Sequence, residues 1–129
     1  MEMIKVVVVE PGKRPYTKEF ERNLENMQEI VGGNIESIPF DDYKGEMFII
    51  CNEDGKSKGL PLNRVLLDDK GEAADILTGT FFVCSRSGEH LSSLSEKQEK
   101  IALERFKCYE MFKKGKDGIS MIQLNFDYT

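Results

Sequence analysis

Hydrophobic positions along this chain come in short runs with different periods. Ile4 to Val9 is an almost unbroken apolar stretch rich in β-branched residues, the pattern of a strand buried on both faces. It is the best candidate for a central strand. Phe20, Leu24, Met27 and Val31 then fall at i, i+4, i+7 and i+11, which traces one face of a helix. Thr17 can cap that helix and Gly32-Gly33 can stop it. Glu21, Glu25 and Glu29 share its opposite side and read as a solvated face rather than an acidic docking stripe.

Two further strands are predicted over 34–40 and 47–51, separated by the acidic loop Asp41-Asp42-Tyr43-Lys44-Gly45. Asn52-Glu53-Asp54-Gly55 has reversal chemistry, so 56–60 is expected to return alongside 47–51. The turn Asp68-Asp69-Lys70-Gly71 precedes a piece from Asp75 to Gly79, and Thr80 to Cys84 is a strongly apolar strand. Ser95-Glu96-Lys97-Gln98 matches a capping box. It predicts a second helix to about Lys113, with Ile101, Ala102, Phe106, Tyr109 and Phe112 inward and Gly115-Lys116-Asp117-Gly118 as its stop. Ile119 to Phe126 reads as a last strand or an extended tail, because its apolar residues change parity midway. The expected fold class is α+β: a small single domain with a mixed sheet packed by two main helices. Residues 1–94 would form the core, and 95–129 a C-terminal helix and tail of the same compact domain.

Composition narrows the classes of partner. A chain of 129 residues suits one domain, and 40% hydrophobic with 32% charged residues is a globular balance. The 18 basic against 23 acidic side chains leave a net charge of −5, which disfavours nucleic acid and anionic membranes as partners. The basic patch Lys113, Lys114 and Lys116 is small and lacks interleaved aromatics for base stacking. No run approaches the ~20 apolar residues of a membrane span, and the apolar start is too short for a signal peptide. A cytoplasmic location is expected. Cys51, Cys84 and Cys108 lie far apart, so they suggest neither a zinc site nor a disulfide framework, and are expected to pack as small apolar groups.

Candidate chemistry is sparse. The only histidine is His90, so a nucleophilic site would have to combine it with Cys84 or a nearby serine. The acidic pairs fall in predicted turns, where they support the backbone. No catalytic set, metal or cofactor is expected. Pro11-Gly12-Lys13-Arg14-Pro15 lies between a strand and a predicted helix start, where Lys13 and Arg14 could receive an anion, or where the loop is simply rigid and solvated. In Gly59-Leu60-Pro61-Leu62-Asn63-Arg64, Pro61 interrupts pairing while Asn63 and Arg64 offer an amide and a planar fork. With Asn52 they could form a recognition site. The structural alternative has Leu60 and Leu62 plugging the core, Asn63 bonding nearby backbone and Arg64 pairing with Asp68 or Asp75.

These segments together carry a resemblance. Ile4 to Pro15 with its Pro-Gly-Lys-x-Pro motif, Ile30-Val31-Gly32-Gly33 with Ile35-Glu36, Cys51 to Lys56, the Gly-Leu-Pro-Leu-Asn-Arg motif at 59–64, Asp75-Ile76 and Thr78 to Phe82 occur in order. The chain resembles a family of short domains of unknown function encoded by phages and mobile elements, over about 70% of its length, from residue 3 to 94. The resemblance implies a phage or mobile-element accessory protein and supplies no reaction. The expected role is a non-enzymatic binding module for a host protein or a small anionic ligand, through Lys13, Arg14, Asn52, Asn63 and Arg64. Alternatives are a nucleic-acid-associated regulatory or replication accessory protein and an unrecognised hydrolase or transferase. The oligomeric state stays open.

Overall fold

The apolar run at the start of the chain forms β1 (Met3–Val9), and its alternation sets the layers of the molecule. In the computed structural model, which describes residues 2–40, 46–68 and 70–125, Ile4, Val6 and Val8 join one hydrophobic cluster, and Val7 and Val9 another. β1 reverses into β2 (Tyr16–Glu21), with Val8 opposite Tyr16. Its other edge pairs with β7 (Phe81–Ser87), Val7 opposite Val83. Next to β7 lies β4 (Met47–Asn52), then β3 (Ile35–Pro39), giving the order β2-β1-β7-β4-β3. The short β8 (His90–Ser92) folds back on the far end of β7. β1, β7 and β4 are therefore inner strands, which is why their sequences are apolar on both faces.

One face of this sheet is covered by α1 (Leu24–Val31), whose Met27 and Val31 pack with Phe20, Ile50, Phe82 and Cys84. The other face meets α2 (Glu96–Arg105) and a separate hairpin of β5 (Leu62–Leu67) and β6 (Ala73–Thr78). There Phe106, just past α2, stands edge-on to Phe81 and Phe40 at centroid distances of 5.1 and 5.9 Å, a favoured aromatic geometry. A last hairpin, β9 (Cys108–Gly115) with β10 (Gly118–Asn125), closes the described chain.

The α+β expectation is overturned. Among the described residues the chain is β-rich, 53% strand against 15% helix, with two short helices, and every described strand pairing is antiparallel rather than mixed. The first predicted helix begins too early. Tyr16 to Glu21 is a strand whose alternation buries Phe20 alone, and Asn23 is the true cap, its side chain accepting from the Asn26 N–H at 2.7 Å. Phe20, Met27 and Val31 still share one cluster, so the helical spacing spans a strand-to-helix junction. The second helix does start at its capping box, Ser95 and Gln98 bonding reciprocally, but it ends at Arg105, and Cys108 onward is extended. Aromatic Tyr109 and Phe112 suit a strand as well as a helix face. The Gly115 to Gly118 stop is instead the turn of the last hairpin.

Residues 56–60 form turns after β4 and do not return beside it, since β3 and β7 already occupy both its edges. The acidic loop 41–45, Asp69 and the chain end from Phe126 lie outside the described residues. Among the described residues no helix is long and apolar enough to cross a membrane.

Candidate functional site

β5 carries an irregularity that places the motif side chains. Leu62 pairs with Thr78 but Arg64 pairs with Leu77, so Asn63 is the extra residue of a β-bulge. Strand alternation lapses there, and Asn63 and Arg64 are both fully buried. The Asn63 amide nitrogen donates to the carbonyls of Val9 at 3.0 Å and Gly79 at 2.7 Å. Arg64 donates through Nη1 to the Asn63 side-chain oxygen at 2.8 Å, and through Nη2 to the carbonyls of Lys13 at 2.8 Å and Phe106 at 3.1 Å. Two consecutive residues thus join the end of β1, the β1–β2 loop, the β6–β7 turn and the end of α2. Arg64 bonds neither Asp68 nor Asp75 through the contacts described. The Asp68 carboxylate caps the N–H groups of Lys70 and Glu72, and Asp75 is ion-paired with Lys56.

Burial pushes the Arg64 guanidinium below the ordinary arginine value, while Glu110 pulls it back up and Arg105 lowers it further. It remains charged at neutral pH. Its Nε is buried without a hydrogen-bond partner, so the charge is held by carbonyl dipoles and a nearby carboxylate rather than by a direct ion pair. Glu110 itself accepts from the Val65 N–H at 2.7 Å, and Arg105 donates to the Val65 carbonyl at 2.8 Å. Side chains from α2 and β9 therefore satisfy a backbone edge that another strand would otherwise pair with.

The remaining sequence-selected residues sit elsewhere. Lys13 exposes 68% of its side chain and lies 3.9 Å from Glu10; Arg14 beside it is also exposed. Asn52 is buried, donating to the Val31 carbonyl at 3.1 Å and accepting from the Asp54 N–H at 2.8 Å, which ties the end of α1 to the turn after β4. Only the main chain of Lys13 meets Arg64. The five residues do not line one shared cavity among those described.

A trough of about 680 Å³ lies instead on the outer side of the same motif. Leu60, Pro61 and Leu62 line it together with Ala73, Ala74 and Ile76 of β6 and Ile119 of β10. Lys114 and the Lys56–Asp75 pair mark its polar rim. Volume and apolar lining are those of a binding cleft. Sequence reading missed this because its lining comes from three separate segments; the small pair Ala73-Ala74 beside Leu60-Pro61-Leu62 was the available signal.

Groups suited to catalysis are dispersed. Cys84 is fully buried in the cluster under α1, its thiol pushed up to about 12 by burial, whereas His90 is exposed on β8. A raised thiol is a poor nucleophile. The Cys51 thiol is pushed up to about 11, chiefly by burial and then by Glu36 and Asp75. Among the described residues no group of three or more His, Cys, Asp or Glu side chains is placed to hold a metal.

Comparison with protein families matches residues 4–107 to the Domain of unknown function (DUF3846), and the chain belongs to that family. Comparison with curated proteins and with solved structures returned no match. The family match extends past residue 94, through α2, and ends where β9 begins.

Proposed function

We propose that this DUF3846 domain is a non-enzymatic binding module whose trough receives an extended segment of a partner protein. The observation that carries the reading is the trough itself: an apolar floor at Leu60, Leu62, Ala74 and Ile76 beside β6, whose only described strand partner is β5. An extended segment can bond to the outer edge of such a strand while its alternate side chains enter the apolar floor. The phage or mobile-element setting implied by the family resemblance makes a host protein the expected partner, in the cytoplasm. A small anionic ligand is less well supported, because Asn63 and Arg64 are fully buried and bonded to each other and to backbone inside the fold, and Lys13 and Arg14 lie on a separate loop.

A photo-crosslinking residue at Leu62 tests the reading, with one at Met3, an exposed position of β1 that does not line the trough, as control. A discrete adduct from host extract is expected at Leu62, absent at Met3, and abolished by Ala74→Asp. Adducts indifferent to Ala74→Asp would overturn the trough as the site. A melting-temperature rise with inorganic phosphate or nucleotides, removed by Lys13→Ala with Arg14→Ala, would favour the anionic ligand instead, since a ligand of the native state raises stability.

A further inference from the structure

Among the described residues, four of the seven large hydrophobic residues that stand exposed lie on one hairpin: Met111 on β9, and Ile119, Met121 and Ile122 on β10. A two-stranded hairpin that leaves apolar side chains in water is marginal by itself and gains most from further strands. β10 has β9 on one edge and no described strand on the other. That outer edge is unusual in its chemistry. β2 carries Lys18, Glu19 and Glu21, β3 carries Glu36 and Pro39, and β6 carries Asp75. β10 reads Gly-Ile-Ser-Met-Ile-Gln-Leu-Asn. Among the described edge strands longer than three residues, it alone has neither a charge nor a proline, the devices that keep edges from pairing.

We propose that β10 is a self-association edge, pairing antiparallel with β10 of a second copy to make a four-stranded sheet β9-β10-β10-β9. The two-residue turn at Lys116-Asp117 closes on the Gly115–Gly118 pair. Alternation from that pair directs the N–H and C=O groups of Ile119, Met121 and Gln123 away from β9. A two-fold axis at Ile122 sets Ile122 against Ile122 of the second copy and Met121 against Gln123 of the second copy. The outward backbone groups then face one another. Met111, cross-strand from Ile122, extends the apolar stripe across all four strands. The occupant is a second copy because self-pairing of an uncharged strand brings no like charges together, although each chain carries −5. A two-fold interface also requires a surface complementary to itself.

Sedimentation analysis of the 129-residue chain from 1 to 200 µM tests this, with Ile122→Lys and Met121→Pro as variants and circular dichroism and melting as fold controls. Wild type is expected to sediment at twice the 14.7 kDa chain mass at the upper concentrations. Both variants are expected to sediment as monomers that melt as cooperatively as diluted wild type. Ala74→Asp, which disables the trough, is expected to stay dimeric, so the two proposals fail separately. A monomeric wild type throughout, or a dimer that survives both variants, would overturn the inference. Hydrogen-exchange protection of Met121 and Gln123 that arises only with a foreign chain would likewise overturn it and give the edge to a heterologous strand.

Discussion

Arg64 donates to the side-chain oxygen of Asn63 at 2.8 Å, so two neighbours on β5 orient each other before either reaches another segment. The Asn63 oxygen accepts from the cation, which leaves its amide nitrogen aimed at Val9 and Gly79. Asn63→Ala is expected to cost about 2–4 kcal/mol, because two buried carbonyls lose their donor. Arg64→Met should cost a similar amount by stripping Lys13 and Phe106, while relieving the buried charge. Urea unfolding of the two single variants and the double variant should show strong non-additivity, the double costing less than the sum.

Gly55 predicts a sharper steric effect. A Cβ there would collide with the Thr78 hydroxyl and stand 3.3 Å from the Thr78 carbonyl. Gly55→Ala is expected to lose about 1–3 kcal/mol through overpacking. Adding Thr78→Ala should restore part of it, since the hydroxyl is removed and the carbonyl stays, as thermal melts of the single and paired variants would show.

The buried thiols give stability a dependence on alkaline pH. Folding raises Cys51 to about 11 and Cys84 to about 12, chiefly by burial, so above the ordinary thiol value the unfolded chain loses protons first. Their contribution is complete below about pH 8.5 and is lost as pH rises through 11 to 12, with a slope of up to about 1.4 kcal/mol per pH unit for each thiol. Urea unfolding at pH 8 to 11 should show that fall, shallower in Cys84→Ala. Iodoacetamide on the native protein should label half-buried Cys108 well before Cys51 or Cys84.

At the acid end, Asp75 is held below the usual carboxylate value, first by the hydrogen bond from Lys56. Its contribution is present above about pH 3.9 and fades as pH falls through the lower folded value. The pair is exposed, so Asp75→Asn should cost no more than about 1 kcal/mol at pH 7 and progressively less toward pH 2 in the same denaturant assay.

Elements whose pattern is local were legible in the chain. The β-branched run of β1, the apolar strand in β7 and the Ser95–Gln98 capping box each carry their signal within a few residues. Misreadings arose where two periods coincide. Phe20, Leu24, Met27 and Val31 keep helical spacing although the first belongs to a strand; strand and helix bury Phe20, Met27 and Val31 in the same cluster, while Leu24 stands exposed. Tyr109 and Phe112 fit a helix face equally well, and only pairing with Leu124 and Met121 makes them strand. The destination of Arg64 depended on a bulge that no local residue type announces. The trough was invisible for another reason, since it exists only where three distant segments meet.

The pairing of β1 with β7 also imposes an order in time. Val7 waits for Val83, and α1 meets only the β1–β2 side chains Ile4, Val6, Val8 and Phe20 until Ile50 and Phe82 arrive to complete the cluster. At synthesis rates of about 5–20 residues per second, roughly 60 residues separate the completed β1–β2 hairpin from β7, a delay on the order of 3–12 s. Throughout that interval the nascent chain presents a valine-rich strand with one edge open. Slowing translation between residues 21 and 81 should therefore lower the yield of folded protein more than slowing it after residue 90.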